Sequence, residues 1–405
     1  MLNDIHTHFG VRIMSSEKTS SPVLSSDTTA PSTTTETQPA ARKTSNRRSF
    51  LKRSMIAGAA TAVGSGLLSR GVPAFAQSSS SSLSSGDIAL LRFAAAAELI
   101  EADLWIQYSE LGGLTPGQLP VETAPFTPMN SYQAAFMNLD PDGPQYITSN
   151  ALDEVSHANF LNAYLISKGV EPVDFDAFRN LASSGADGAN QIGRLTNIMD
   201  LTVDTSWFVR YRSAKNPDLG ATFPQALDLV HVPAIPRTNA DFGPTNHVQA
   251  IANTAAFHFG MIEQTGTSLY PVLAQKATSP EVLKILLSIG GDEVLHFLEW
   301  VDFSGNGVQP PVAPLTDPTN GLTFPNFDVV VNPLLQTNLI FGISAEFISP
   351  DLPRCSVIRP TNTTGFAVGV VKALTDSGHF IGQSPDFLKE FKAIAEAADA
   401  AKRGF

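Results

Sequence analysis

Glu154-Val155-Ser156-His157-Ala158-Asn159-Phe160-Leu161 and Glu293-Val294-Leu295-His296 are the stretches on which the fold turns. Residues three apart share one face of a helix, so each Glu-x-x-His step presents a carboxylate and an imidazole to the same neighbour. Two such steps in apolar contexts imply two helices aimed at one centre; the plainer reading is surface ion pairing along a helix. Two single glutamates extend the pattern outwards. Glu98 is followed seven residues later by Trp105, and Glu263 seven residues later by Tyr270. Glu101 and Asp103 compete with Glu98, and Glu101 is one turn away on the same face. The repeated distance to an aromatic selects Glu98. Trp105 and Tyr270 read most simply as core aromatics, with a hydrogen bond to a ligand carboxylate as the alternative.

Periodicity and end signals around these residues predict four main helices. The first runs from Asp87, read as its cap, to about Glu110, with Glu98 inside the apolar stripe. The second covers about Pro144–Lys168 and stops at Gly169. The third covers Thr245–Ala274, and the fourth starts at Ser279-Pro280-Glu281 and reaches Phe303. A short helix is expected at Tyr132–Met137, another at Gln191–Ser213, and an amphipathic one at Pro385–Lys402. The fold class is therefore all-α. Two helical pairs joined by a long connection form a four-helix bundle over 87–303 with a crossover insertion at 170–245. Residues 304–405 form a C-terminal extension, rich in Pro, Asn and Thr at first, with short β-branched runs such as Val329-Val330-Val331.

Composition narrows the chemistry. Hydrophobic residues make up 43% of the chain, enough for a sizeable core, and the net charge of -12 argues against nucleic acid as a partner. The single cysteine, Cys355, rules out an intramolecular disulfide and thiolate metal sites. It reads as an inert, buried or half-buried thiol. Any metal must then be held by carboxylate and imidazole, a set that suits Fe or Mn. Charge balance points the same way. Burying one unpaired carboxylate costs several kcal/mol, and four together would rival the stability of a domain. Two divalent ions would neutralise all four glutamates. The expected metal ligands are Glu98, Glu154, His157, Glu263, Glu293 and His296. His258, five residues before Glu263, falls on another face and reads as a satisfied core or surface histidine. His231, His247 and His379 lie in loop-like sequence. Asp228-x-x-His231 and Asp376-x-x-His379 are chance echoes of the ligand step.

The ordered set resembles the ferritin-like superfamily of di-metal carboxylate proteins. Glu154 to Leu161 is similar to the second helix of rubrerythrin-type proteins. Ile262-Glu263-Gln264-Thr265-Gly266-Thr267-Ser268-Leu269-Tyr270 is similar to the third helix of exported ferritin-like domains related to plant desiccation-associated proteins. The resemblance implies a dinuclear Fe or Mn centre that reacts with oxygen or peroxide, in the manner of an oxidase, peroxidase or catalase. No cysteine-bound rubredoxin site accompanies it, so electrons would come from outside or from the substrate, a small molecule. The competing implication is a non-catalytic stress protein whose metal stabilises the bundle. No separate nucleophile or catalytic triad is visible. A homo-oligomer is compatible with this fold, although a closed storage cage suits the long insertions poorly.

The N-terminal residues read as an address. Residues 1–46 are rich in Ser, Thr and Pro and are expected to be disordered, with Met14 an alternative start. Arg47-Arg48-Ser49-Phe50-Leu51-Lys52 resembles the twin-arginine export signal. A Gly/Ala-rich apolar run to Leu68 and the small-x-small site Ala74-Phe75-Ala76 follow in order. The expectation is a signal over 47–76, cleavage near Ala76, a Ser-rich linker at 77–86, and export to the periplasm or beyond through the twin-arginine machinery. That route carries folded cargo, often with its cofactor in place. No stretch reaches the length of a membrane span.

Overall fold

The computed structural model describes residues 82–115, 127–212, 223–327, 342, 344, 348–356 and 363–403. Residues 1–46, expected to be disordered, the signal expected at 47–76, half of the Ser-rich linker and the Val329–Val331 run lie outside them. Among the described residues no helix is long and apolar enough to cross a membrane.

Four long helices carry the structure: α1 (Ser85–Gly112), α3 (Gly143–Ser167), α5 (Thr245–Lys276) and α6 (Pro280–Asn306). The short α2 (Ser131–Leu139) fits between α1 and α3 in sequence and packs on α5. Local chemistry sets the helix starts. Ser84 accepts from the amide of Asp87, Asn130 from that of Gln133, and Ser279 from those of Glu281 and Val282, with Pro280 at the first helical position. Asp87 is thus not the cap of α1 but sits in its first turn. There its buried carboxylate accepts from the amides of Thr278 at 2.8 Å and Ser279 at 3.2 Å, tying the start of α1 to the α5–α6 turn.

The helices pair α1 with α3 and α5 with α6, and the two pairs face each other across one core. Trp105, Phe259 and Trp300 stack at its centre, with ring centroids 4.5–5.3 Å apart. These rings form an apolar, wholly buried floor from the two pairs. The last two helices, α7 (Phe366–Asp376) and α8 (Pro385–Ala400), belong to the same core. Phe391 of α8 stacks on Phe93 of α1 at 6.0 Å, and Phe387 meets Phe175 at 5.2 Å. Lys276 Nζ donates to the carbonyl of Ala398 at 3.3 Å. The two final helices of the C-terminal extension thus pack along the flank of the bundle.

The crossover departs from expectation. Among the described residues of the span Gln191–Ser213, only Ser206–Arg210, here α4, is α-helical. The reason is where its backbone donors go. The amides of Leu195 and Thr196 donate to Asp103 Oδ2 at 3.0 and 2.9 Å. Those of Asn197 and Thr202 donate to the carbonyls of His379 and Ser377, and Arg194 pairs with Leu181. The segment is a strap held against α1 and α7 in place of a helix. It contains β1 (Leu201–Val203), antiparallel to β2 (Leu229–Val232). A second small hairpin pairs β3 (Leu315–Thr316) with β4 (Thr323–Phe324). His247, expected in a loop, lies in the first turn of α5, where Asp317 and Asp241 flank its ring at 2.9 and 3.3 Å. Cys355 is exposed, contrary to expectation.

Candidate metal centre

Each long helix of the bundle contributes to one buried cluster. Glu98 comes from α1, Glu154 and His157 from α3, Glu263 from α5, and Glu293 and His296 from α6. All four glutamates are 0% exposed. The Nδ1 of His157 lies 3.2 Å from Glu154, 3.4 Å from Glu98 and 4.0 Å from Glu293. The Nδ1 of His296 lies 3.0 Å from Glu154 and 3.3 Å from Glu263. Two overlapping groups result, each tight enough to surround one cation: Glu98, Glu154, His157 and Glu293; and Glu154, Glu263 and His296. Glu154 belongs to both. The six sequence-selected residues therefore meet in one place. The rivals of Glu98 differ. Asp103 faces the crossover, where it also pairs with Arg179 at 2.7 Å. Glu101 stays partly exposed beside the cluster.

The cluster is not satisfied by its own hydrogen bonds. Glu98 Oε2, Glu154 Oε1, Glu263 Oε2, both oxygens of Glu293 and both ring nitrogens of His296 are buried without a hydrogen-bond partner. Buried polar atoms are rarely left so. The short nitrogen–oxygen approaches at His296 do not have hydrogen-bond geometry; donor atoms converge on shared points as ligands do around cations. The fit extends to the carboxylates' other oxygens. Trp105 Nε1 on α1 donates to Glu263 Oε1 on α5 at 2.9 Å, and Tyr270 on α5 donates to Glu98 Oε1 on α1. Each aromatic serves the glutamate of the opposite helix, so the two-fold sequence pattern is also a two-fold exchange of hydrogen bonds.

Two further residues escaped the sequence reading. Asp292 Oδ2 lies 3.2 Å from Nε2 of His157, and Asp153 Oδ2 lies 3.5 Å from Nε2 of His296. A metal-binding imidazole usually gives its second nitrogen to a carboxylate, which fixes its tautomer. Here each aspartate faces the histidine of the other helix, at His296 as a charge contact without hydrogen-bond geometry. The signal was present, since an aspartate immediately precedes the glutamate in both steps. Close helix approach was also hidden. A Cβ at Gly266 would lie 1.9 Å from Glu293 Oε2, and one at Gly290 would lie 2.6 Å from Tyr270 Cβ. Glycine at these two positions lets α5 and α6 close around the cluster.

Electrostatics report the same crowding of acids. Burial, reinforced by Glu154, raises Glu98 to about 8. Burial raises Glu263 to about 7 although His296 opposes it. Glu293 is driven far up by burial and by the surrounding glutamates. Burial also works against ionised Glu154, but His157 and His296 outweigh it and hold that carboxyl below the usual range. Burial opposes charge on His157, yet Asp292, Glu154 and Glu98 raise it to about 12. His296 is raised too, against burial, by Glu263, Asp153 and Glu154. Without cations, protons serve as the counter-ions. Metal ions would displace them, so binding should release protons.

A family model described as a ferritin-like domain matches residues 86–298, more than half of the chain and a span that includes all six clustered residues. No curated protein and no solved structure matches the chain.

Proposed function

The chain belongs to the ferritin-like domain family, and from that premise we propose that it is an exported redox protein that holds two Fe or Mn ions and reacts with dioxygen or a peroxide. The observation that carries this reading is the set of buried, unpartnered carboxylate and imidazole atoms converging between the four long helices. Glu98, His157 and Glu293 would hold one ion and Glu263 and His296 the other, with Glu154 shared. When bound, such a pair would supply the one- or two-electron reaction with dioxygen or a peroxide. The chain's own contribution is to place and to insulate. Trp105 and Tyr270 hold Glu263 and Glu98 by one oxygen each and leave the other free. Asp292 and Asp153 orient His157 and His296. The floor of Trp105, Phe259 and Trp300 keeps water from one side. The surface-facing side carries half-exposed Asp153 and Asp292, which offer the short route for a small oxidant and for protons. Export rests on the Arg47-Arg48-Ser49-Phe50-Leu51-Lys52 motif and suits a protein that must acquire its metal before it leaves the cytoplasm.

Glu154→Ala tests this. Elemental analysis should fall from near two metal ions per chain towards zero, and reaction with peroxide should fall with it. Full metal content in that variant would sink the assignment. A second reading is a stabilising, non-catalytic metal centre in a stress protein, favoured by the complete burial of all four glutamates, since structural sites are closed. Repeated turnover of peroxide supports the enzyme; a single oxidation per site supports the stabilising role.

A further inference from the structure

Beside the cluster the core holds a row of polar groups that the proposed function does not use. Tyr108, His258 and His379 are wholly buried. Tyr108 Oη lies 2.6 Å from His258 Nδ1, His258 Nε2 lies 2.6 Å from His379 Nε2, and His379 Nδ1 lies 2.9 Å from Ser377 Oγ. The protons can be placed by elimination. Ser377 Oγ is 2.7 Å from the carbonyl of Ala373 and 3.2 Å from that of Leu374. Both are acceptors, so its proton points to them and its oxygen accepts from Nδ1–H of His379. Neutral His379 then has a bare Nε2, which accepts from Nε2–H of His258. His258 in turn has a bare Nδ1, which accepts from the Tyr108 phenol. Burial keeps both rings neutral: it drives His258 far down, with His379 adding to the effect, and lowers His379 to about 4. The result is a one-way donor chain that begins at Tyr108.

The other face of Tyr108 looks towards the cluster. Its ring lies 5.9 Å from that of Trp105, whose Nε1–H donates to Glu263. Phe259 packs against both rings, at 4.6 and 4.7 Å. A phenol held on a neutral imidazole can send its electron and its proton to different partners, which avoids forming a charged phenol radical in the core. We propose that Tyr108 is a redox-active residue that gives an electron to the metal centre through Trp105 and its proton to His258. This rests on the proposed function, because the oxidant is dioxygen or a peroxide acting at the bound metal pair. The step balances. The O–H bond of Tyr108 breaks, and the residue is oxidised by one electron to a neutral phenoxyl radical. The oxidised metal pair is reduced by one electron. An N–H bond forms at His258 Nδ1, and His258 passes its Nε2 proton to His379 Nε2. One positive charge then resides on the imidazole pair until the radical is reduced and the protons return. Ser377 also lines a surface cleft of about 380 Å³, which places the end of the chain next to solvent.

The test uses iron-loaded protein of measured metal content, mixed with hydrogen peroxide and frozen for electron paramagnetic resonance. Wild type should give a tyrosyl signal. Tyr108→Phe should carry the same iron and lose the signal, and His258→Gln should keep the iron and form the radical at least about ten-fold less. Persistence of the signal in Tyr108→Phe, or no radical in fully loaded wild type that consumes peroxide, overturns the inference. Absence of bound iron is instead the failure of the proposed function. A second arm separates the two: metal-free protein is photo-oxidised with a ruthenium polypyridyl sensitiser. A radical on Tyr108 that is slowed in heavy water and lost in His258→Gln supports the proton path. Oxidation that falls on other residues refutes it.

Discussion

Gly266→Ala should separate the metal centre from the fold that carries it. The added Cβ would lie 1.9 Å from Glu293 Oε2 and 2.7 Å from its carboxyl carbon, where ordinary contact begins at 3.4 Å. The carboxylate must therefore retreat by about 1.5 Å, the difference of those two oxygen distances. Ligand distances tolerate only about 0.2 Å, so Glu293 is lost to a cation. Disturbing a partner of a ligand already costs about 10–100-fold in affinity, so losing the ligand itself should cost at least about 100-fold, or ~2.8 kcal/mol. The metal-free chain should hardly notice. Alanine gains about 1 kcal/mol over glycine inside a helix, and a shifted glutamate rotamer costs about 0.5–1.5 kcal/mol. The assay is chelator competition for bound metal, with urea unfolding of metal-free and loaded protein. Gly290→Ala is the control, because its Cβ would meet Tyr270 Cβ at 2.6 Å, an atom that no side-chain rotation can move aside. It should destabilise both forms by about 1–3 kcal/mol. Wild-type metal affinity in Gly266→Ala, or a metal-free form as damaged as that of Gly290→Ala, would refute the reasoning.

Two further outcomes follow from the surroundings of the ligands. Asp292→Asn removes the charge that orients His157 and should weaken metal binding by about 10–100-fold, measured by the same competition, with the helical spectrum unchanged. The metal-free protein should lose stability as pH rises from 6.5 to 8. Glu98 and Glu263 are raised to about 8 and about 7, and His157 to about 12, so their contributions are full below the unfolded values and lost as pH climbs through the folded ones. His258 and His379, which are depressed, lose their contribution only below the unfolded histidine value and so leave this window clear. The loss should amount to a few kcal/mol, read by urea unfolding in chelator. Metal-loaded protein should show the opposite slope, because ligands shed protons to bind.

What could be read from the sequence was local. The Glu-x-x-His steps lie within one helical turn, and their spacing alone puts both groups on one face. Glu98 was separable from Glu101 and Asp103 because its distance to an aromatic repeats that of Glu263. The partners were not readable, since Trp105 and Glu263 are 158 residues apart and Tyr270 and Glu98 are 172 apart. The helix expected at Gln191–Ser213 failed for a related reason. Most of its apolar residues do pack inwards, Ile192 excepted, but Asp103, Ser377 and His379 take the amides a helix would have used. Periodicity records which side chains are buried and is silent on which distant acceptor claims a backbone donor. Asp153 and Asp292 were different. They repeat in the sequence, and their meaning emerges only when each is seen on the histidine of the other helix.

The repeat between the halves is most informative where it breaks. Three residues after Glu98 stands Glu101, whereas three after Glu263 stands Gly266, so one half adds an acid and the other makes room for the opposing carboxylate. Ten residues after Glu98 stands Tyr108, whereas ten after Glu263 stands Leu273, equally buried but with nothing to donate. The ligand groups are unequal as well, four residues around one position and three around the other. Two ions held here would therefore differ in charge environment and in what lies behind them. The position held by Glu263 has an aromatic path through Trp105 and Tyr108 to a histidine pair, and the position held by Glu98 has only Tyr270, whose phenol is fixed on the ligand itself. A symmetric storage or stabilising role gives no reason for that difference. A centre that must take up electrons from one side does.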